Sequence, residues 1–345
     1  MGRYDHLDES VVRERPSRRN TRPRSKDRPA HEDAVTGMVV GVDRGRYTVR
    51  VQDRTVVAMR ARELGRTRIV VGDVVGMVGD TSGDPDTLAR IVRVEDRRTV
   101  LRRSADDSDT VERVIVANAD QLVIVTAVAD PEPRTRMVDR CLVAAYDAGM
   151  DPLLLLTKAD LGDPEEFLSH YRALDVPHVV SRGTPDGALD AAGVAEIGRH
   201  LAGRTSVLVG HSGVGKSTVV NALVPGTDRA TGPVNVVTGR GRHTSSSAVA
   251  LELAGGGWVV DTPGVRSFGL GHVDPATFVE HFEDLAPGTA LCPRGCSHDE
   301  PACGLDEWVR RESVPHGVER LGSLRRLLRS RAGEAAEGAD DTGLR

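Results

Sequence analysis

The sequence predicts a multi-domain α/β protein: a small β-barrel, then a larger domain on a mainly parallel sheet, then a cysteine-bearing helical region. Three observations predict this order. Valine-rich segments fill residues 34–100, strand and helix patterns alternate over residues 101–285, and three of the four cysteines fall in residues 286–332. Single cores rarely exceed about 250–300 residues, so this length favours several domains. Residues 1–33 and 333–345 are expected to be disordered tails.

Composition places the chain among ordinary globular proteins. Charged residues make up 28% and the formal net charge is −5, which excludes a uniformly basic nucleic-acid binder but leaves room for a local basic patch. No apolar run approaches the roughly 20 residues of a membrane span, and no apolar signal-peptide stretch is seen. We therefore expect a cytoplasmic monomer without a membrane partner. The basic segment at residues 13–28 is either a solvated tail or an arm that binds RNA.

Five short segments between Val35 and Val100 predict the barrel. They are TGMVVGV, RYTVRVQ, RTVVAM, GDVVGMV and LARIVRV, several of which alternate with a period of two, and glycine and aspartate lie between them. A five-stranded barrel of the oligonucleotide-binding type is the leading prediction, and a different small barrel with a structural role is the alternative. Tyr47 is the one aromatic residue in this region, so backbone contact with RNA is favoured over base stacking.

The next region reads as alternating strands and helices, such as DQLVIVTAV followed by MVDRCLVAAYDAG, which predicts a parallel sheet with helices on both faces. Near the end, VERLGSLRRLLRSR predicts a helix with Val318, Leu321, Leu324 and Leu328 on one face. Its arginines are interpreted as a solvated surface.

The segment GHSGVGKS matches the P-loop pattern, between an apolar strand and a helix-like segment. Its main-chain amides would surround a β-phosphate, and the helix N-terminus adds its positive end. Lys216 would bridge the β- and γ-phosphates, and Ser217 would offer its hydroxyl to Mg²⁺. The predicted phosphate-binding residues are Gly210, His211, Ser212, Gly213, Val214, Gly215, Lys216, Ser217 and Thr218.

A second motif, TKAD, selects the base. The Asp160 carboxylate can accept hydrogen bonds from N1–H and the exocyclic amine of guanine, a donor pair that adenine lacks. Lys158 would lie along the base plane, and Thr157 stands where asparagine is more common. The backbone at the end of the strand VPHVV is expected to contact the guanine carbonyl. The predicted base-binding residues are Thr157, Lys158, Ala159, Asp160, Ser181 and Arg182.

A third motif, DTPG, predicts the sensor of the γ-phosphate. Asp261 would hold the Mg²⁺ shell through water, and the Gly264 amide would sense the phosphate. Thr244, in GRGRHTSSS, is expected to join Mg²⁺ in the GTP state, although Ser245–Ser247 offer competing hydroxyls. Val265 cannot orient water as a glutamine would, so slow intrinsic hydrolysis is predicted. His243 is our hypothesis for the water-positioning group. The predicted catalytic residues are His243, Thr244, Lys216 and Asp261.

The order of these motifs is unusual. TKAD precedes the P-loop by about fifty residues, whereas it ordinarily follows DTPG-type motifs. A circular permutation explains this order, because joining neighbouring ends and cutting elsewhere preserves the contacts of a sheet. The segment after DTPG then leads directly into the cysteine region. We therefore predict that GTP binding moves the C-terminal domain.

The segment CPRGCSHDEPAC supplies a predicted metal site. Cys292, Cys296, His298 and Cys303 would complete a closed tetrahedral zinc site with a structural role. Clustered thiols in a reducing compartment favour a metal over a disulfide. Cys141 lies on an apolar helix and is expected in the core.

Barrel, TKAD, GHSGVGKS, GRHT, DTPG and the Cys-Cys-His-Cys cluster follow one another over residues 35–330, and together they resemble the small-ribosomal-subunit-dependent GTPase A family of YjeQ/YloQ type. The resemblance implies an oligonucleotide-binding barrel, a circularly permuted P-loop GTPase domain and a zinc-binding helical domain. It implies one structural zinc ion, and Mg²⁺ with GTP. It also implies binding to the immature 30S subunit near the decoding region, subunit-stimulated hydrolysis of GTP to GDP and phosphate, and late maturation of 16S rRNA.

Two other interpretations remain open. The chain could be an RNA-binding zinc protein whose nucleotide only holds its shape, an interpretation that the missing glutamine leaves open, although intact Lys216, Ser217, Asp261 and Thr244 argue for an enzyme. It could also be a P-loop kinase or ATPase, against which the KxD pattern at a strand end argues.

Overall fold

A computed structural model describes residues 31–104, 112–226, 248–262, 268, 270 and 273–332, and its main feature is one sheet of eleven strands with a separate two-stranded hairpin. The strands are β1 (Val35–Asp43), β2 (Arg46–Val51), β3 (Arg54–Arg60), β4 (Val74–Gly79), β5 (Ala89–Val94), β6 (Val100–Ser104), β7 (Glu112–Ala117), β8 (Gln121–Ala127), β9 (Asp151–Thr157), β10 (His178–Val180), β11 (Thr205–Val209), β12 (Val249–Glu252) and β13 (Trp258–Asp261). The helices are α1 (Thr135–Asp147), α2 (Pro164–Ser169), α3 (Ala191–Leu201), α4 (Lys216–Leu223), α5 (Pro275–Phe278), α6 (Gly304–Arg311) and α7 (Gly317–Ala332).

The first five strands close into a barrel. Their order is β1-β2-β3-β5-β4, β4 pairs back with β1, and β3 and β5 run parallel. Alternate valines point inward and form a core with Met77 and Ile91. The predicted five-stranded barrel is thus confirmed. Tyr47 is buried in its core, so this ring is not exposed for base stacking.

The second part of the sheet has the order β10-β9-β8-β11-β13, all parallel, with β12 antiparallel beside β13. Every residue of β8 is buried, as expected for a strand covered on both faces. Residues of α1, Cys141 included, pack on one face, while α3 and α4 pack on the other. This arrangement confirms the prediction of a mainly parallel sheet with helices on both sides.

The barrel joins the parallel sheet through contacts that the sequence did not predict. Gly41 of β1 pairs with Val249 of β12, and Arg50 forms an ion pair with Glu252 at 2.9 Å. The β6–β7 hairpin leads from one part to the other. The predicted boundary between residues 100 and 101 falls inside β6, and the domain limits stay predictions.

The C-terminal helix α7 packs against α1. The predicted helix is confirmed, but its predicted face is wrong at Val318, which is 73% exposed. The buried face is formed by Leu321, Leu324, Leu327 and Leu328. Several of its arginines pair with acidic side chains: Arg320 with Asp284, Arg325 with Asp306, Arg326 with Asp139 and Arg329 with Asp299. They therefore tie α7 to its surroundings, instead of forming only a solvated surface.

None of the helices in the described part of the chain has the length and apolar character needed to cross a membrane.

Candidate nucleotide site and cysteine–histidine cluster

The P-loop segment connects β11 to α4. Gly215, just before the helix, has a φ of 94°, in the left-handed region that glycine adopts without strain. A Cβ atom at Gly210 would lie 2.2 Å from the carbonyl oxygen of Val125, so the loop approaches β8 too closely for a side chain. These two positions explain two of the three glycines of the motif, and they set a tight loop at the positive end of α4.

The Lys216 ammonium folds back over this loop. Its Nζ donates to the carbonyl oxygens of Gly210 and His211, each at 2.6 Å. The first residue of α4 therefore places a cation at the mouth of the loop, beside the helix N-terminus. This arrangement can receive a polyphosphate.

The base-reading motif follows β9, and it contacts the P-loop. Thr157 is the last residue of β9 and is fully buried, and its Oγ1 donates to the carbonyl oxygen of Val214 at 2.7 Å. Lys158 has a φ of 57°, and its Nζ donates to the carbonyl oxygen of Asp130. The predicted base-binding and phosphate-binding segments are therefore neighbours in the structure.

The Asp160 carboxylate is held by a residue that the sequence analysis missed. The backbone N–H of Gly183 donates to Asp160 Oδ1 at 2.6 Å. A Cβ atom at Gly183 would lie 3.1 Å from that same oxygen, so glycine permits the approach. A glycine three positions after the end of β10 is the signal that could have identified Gly183.

The backbone N–H groups of Ser181 and Arg182, which we predicted to contact the guanine carbonyl, already donate hydrogen bonds within the protein. The N–H of Ser181 donates to Leu156, at 2.8 Å, and that of Arg182 donates to Asp190 Oδ1, at 2.9 Å. Asp190 also caps α3, and the hydrogen bond from Arg182 is the main cause that lowers the pKa of its carboxyl. An aspartate directly before a helical pattern is a capping signal, which could have identified Asp190.

Asp261 ends β13, the parallel neighbour of β11, and is buried. The next residue, Thr262, donates from its hydroxyl to the carbonyl oxygen of Leu208 at 3.0 Å. The start of the DTPG motif is thereby fixed beside the strand that feeds the P-loop. Gly264, Val265, His243 and Thr244 lie outside the described residues.

Three motifs thus emerge at one edge of the sheet. TKAD follows β9, the P-loop follows β11, and DTPG begins at the end of β13. These strands are parallel, so their carboxyl ends meet at the same edge, where open α/β sheets bind ligands.

The four predicted metal ligands come together at a second place. The Sγ atoms of Cys292, Cys296 and Cys303 and a ring nitrogen of His298 all lie within 4.8 Å of one another. Cys292 Sγ is 3.7 Å from His298 Nδ1 and 3.9 Å from Cys303 Sγ. Cys292 is half-buried and the other three are buried.

The burial and chemistry of this group fit a metal ion. Burial lowers the pKa of His298, which favours the neutral imidazole that can ligate a metal ion. Burial also raises the pKa values of the Cys292 and Cys296 thiols, an effect that a bound cation would offset by stabilising the thiolates. A neutral imidazole with three sulfur donors is a set that zinc accepts in closed tetrahedral sites. The Cys-His group can therefore hold a metal ion.

Comparisons with known proteins agree with this geometry. Residues 94–271 match the family model described as RsgA GTPase. The small ribosomal subunit biogenesis GTPase RsgA of Pseudomonas aeruginosa (strain LESB58) is 39% identical over 273 residues, which cover 76% of each chain. The protein of the same name from Chlorobaculum tepidum is 35% identical over 316 residues, covering 87% of this chain and 99% of that one.

Two crystal structures are similar to this chain as a whole. YjeQ from Thermotoga maritima is 26% identical with a TM-score of 0.63, and the alignment covers 87% of this chain and 99% of YjeQ. YloQ, described as a circularly permuted GTPase, matches with a TM-score of 0.61 over 90% of this chain and all of YloQ, and at 20% identity it supports the fold alone. The matched family model, the identity to its members and the order of the three motifs along one sheet edge show that this chain belongs to the RsgA GTPase family.

Proposed function

We propose that this GTPase acts in biogenesis of the small ribosomal subunit, where the 30S particle stimulates it to hydrolyse GTP to GDP and phosphate during late maturation. The observation that carries the proposal is the hydrogen bond between Thr157 and Val214, which joins the base-reading motif to the phosphate loop in one pocket. The names of the relatives support the small subunit as partner.

The pocket would bind GTP at both ends. The Asp160 carboxylate, oriented by Gly183, would accept the guanine donors, and the amides of the P-loop would hold the β-phosphate. Lys216 already lies at the mouth of the loop, and would turn from its carbonyl partners toward the β- and γ-phosphates. Because the reaction is mostly a matter of positioning and charge stabilisation, these contacts are what the chain contributes to it.

Mg²⁺, when bound with GTP, would neutralise charge on the β- and γ-oxygens. We assign Ser217, Thr244 and Asp261 to hold this ion, and we assign the Gly264 amide to contact the γ-phosphate.

His243 is our assignment for the residue that positions the attacking water, because Val265 has no polar group to do so. An H243A variant should lose most of its 30S-stimulated turnover while binding GDP normally. Stimulated turnover equal to the wild type would remove the assignment.

Cys292, Cys296, His298 and Cys303 would hold one zinc ion in a structural site, since all four positions are taken by protein. The barrel and the arginine-rich N-terminus would contact 16S rRNA through backbone and phosphate contacts. Because ribosomes are assembled in the cytoplasm, we also propose that this protein is a cytoplasmic monomer without a membrane partner.

The test is GTP hydrolysis measured with purified 30S, 50S and 70S particles and without any of them. We expect slow basal turnover, strong stimulation by 30S and little by 50S. A K216A variant is the control for hydrolysis by contaminants. Competition of GDP with ADP tests the base assignment. Guanine-selective binding without stimulated turnover would instead favour an RNA-binding zinc protein whose nucleotide only holds its shape.

A further inference from the structure

His298 has a backbone conformation that needs support. Its φ is 65°, in the left-handed region, which is strained for a residue with a side chain. Its own N–H donates to Cys296 Sγ at 3.4 Å, and its carbonyl oxygen accepts from Arg325 Nε at 2.9 Å. One of these two contacts comes from a metal-ligand candidate and the other from α7, 27 residues further along the chain.

Arg325 is itself fixed in place. Its two terminal nitrogens form a bidentate ion pair with Asp306 of α6, at 3.1 and 2.7 Å. A planar guanidinium that makes two parallel hydrogen bonds on one edge has little freedom left, so its Nε is directed at His298. Arg325 thus holds the backbone of one of the four candidate ligands, and this contact does not need the metal.

Charge gives the second argument. Three thiolates, a neutral imidazole and a divalent ion sum to one negative charge, which is costly to bury unless a positive group lies beside it. The Arg325 guanidinium contacts the cluster at the His298 carbonyl oxygen, and Asp306 on its far edge orients it. Partners of this kind orient metal ligands and are commonly needed for full affinity.

We propose that Arg325 is a positioning residue for the metal site, holding the His298 backbone and placing a positive charge beside the cluster. This inference rests on the proposed zinc binding by the same four residues. It makes α6 and α7 part of the metal site, since they supply Asp306 and Arg325.

The experiment is a Co²⁺ titration of the full-length, metal-stripped protein, followed by the thiolate-to-cobalt absorption, with a chelator of known affinity as competitor. R325M should bind about 10- to 100-fold more weakly than the wild type, and D306N should show a smaller loss in the same direction. R325K restores the charge without the fork, so its affinity should lie between R325M and the wild type.

The matched control is R329M. Arg329 lies one turn further along α7 and also forms a bidentate ion pair, with Asp299 at 2.8 and 2.7 Å. Its removal should leave Co²⁺ affinity within about twofold of the wild type. Equal affinities of R325M and R329M would overturn the inference, and GDP binding by each variant verifies that it has folded. If R325M does not fold, the Co²⁺ affinities of R325K and D306N are compared with that of R329M instead, and equal affinities would again overturn the inference. A wild-type protein that takes up no Co²⁺ would refute the zinc site as well, whereas normal wild-type uptake with unaltered R325M would refute Arg325's role alone.

Discussion

The Thr157 hydroxyl donates a hydrogen bond to the carbonyl oxygen of Val214, 2.7 Å away, across 57 residues of sequence. Thr157 begins the base-reading motif and Val214 lies in the phosphate loop. Both residues are buried, at 1% and 2% exposure, so water does not compete for this contact. The bond fixes the distance between the two ends of the nucleotide pocket.

Replacing Thr157 by valine should weaken guanine nucleotide binding about tenfold. The change keeps the shape but leaves the Val214 carbonyl oxygen buried without this donor, and an unsatisfied buried group costs roughly 1–3 kcal/mol. Fluorescent GDP titration measures the affinity, and thermal unfolding measures the stability. T157S keeps the hydroxyl and should bind nearly as the wild type does. Equal affinities of T157V and T157S would contradict this view of the contact.

Replacing Asp160 by asparagine should move the base preference from guanine toward xanthine. A carboxylate accepts from the two guanine donors, whereas an asparagine amide presents a donor that suits the second carbonyl of xanthine. The Gly183 N–H already directs one side-chain oxygen, so the carboxamide nitrogen should take the other position. Competition of GDP and xanthosine diphosphate for the same site checks this expectation. Parallel loss of both nucleotides would show that Asp160 supports the fold and does not read the base.

Local signals accounted for most of the fold. The glycines of the P-loop are needed where they stand, as Gly210 and Gly215 show, so their spacing was readable without the structure. The strands of the barrel were readable because alternation reports burial directly. The two regular structures most relevant to function, the barrel and the parallel sheet, were therefore both predicted.

Contacts between distant segments could not be predicted from the sequence. Gly183 is 23 residues from Asp160, and the pairing of Gly41 with Val249 spans most of the chain, so no local pattern shows which distant residue each one contacts. The prediction that Val318 lies on the buried face was wrong for a geometric reason. Val318 is six positions before Leu324, which places the two side chains about 120° apart around the helix axis. A repeat of three residues drifts off one face, and the drift decided which side chain became exposed.

Stability should depend on pH through Asp139, on α1. Burial is the main cause that raises the pKa of this carboxyl, outweighing Arg326, whose Nε lies 3.1 Å from Oδ2. The folded protein therefore holds this proton more tightly than the unfolded chain does. The resulting stability is fully present below the ordinary aspartate pKa, and is lost as pH rises through the raised value.

The D139N variant, whose side chain at this position cannot ionise, tests the predicted direction of this pH dependence. The unfolding free energy of the wild type minus that of D139N should fall as pH rises from about 3 to 7. D190N is the control of opposite sign, because the hydrogen bond from Arg182 lowers the Asp190 pKa and the corresponding difference should rise. Chemical denaturation across this pH range gives both curves. A flat difference for D139N would show that the Arg326 pair cancels the effect of burial.

Arg140 connects the segment after the DTPG motif to the C-terminal helix. Its guanidinium is buried and donates to the carbonyl oxygens of Phe268 and of Ser330 in α7. Phe268 lies four positions beyond Gly264, so a shift of this segment when GTP binds would be transmitted to α7.

We expect amide hydrogen exchange in α7 to differ between GDP and GTP-analogue complexes of the wild type. Breaking the bridge with R140M should remove most of that difference, even though both complexes should exchange faster overall, because hydrogen bonds to a charged group contribute about 1.5–3 kcal/mol. R329M, on the same helix, removes an ion pair with Asp299 and should preserve the difference. Identical α7 exchange in the two wild-type complexes would mean that the C-terminal helix does not respond to the nucleotide, whereas an unchanged difference in R140M would mean that the response reaches α7 by another route.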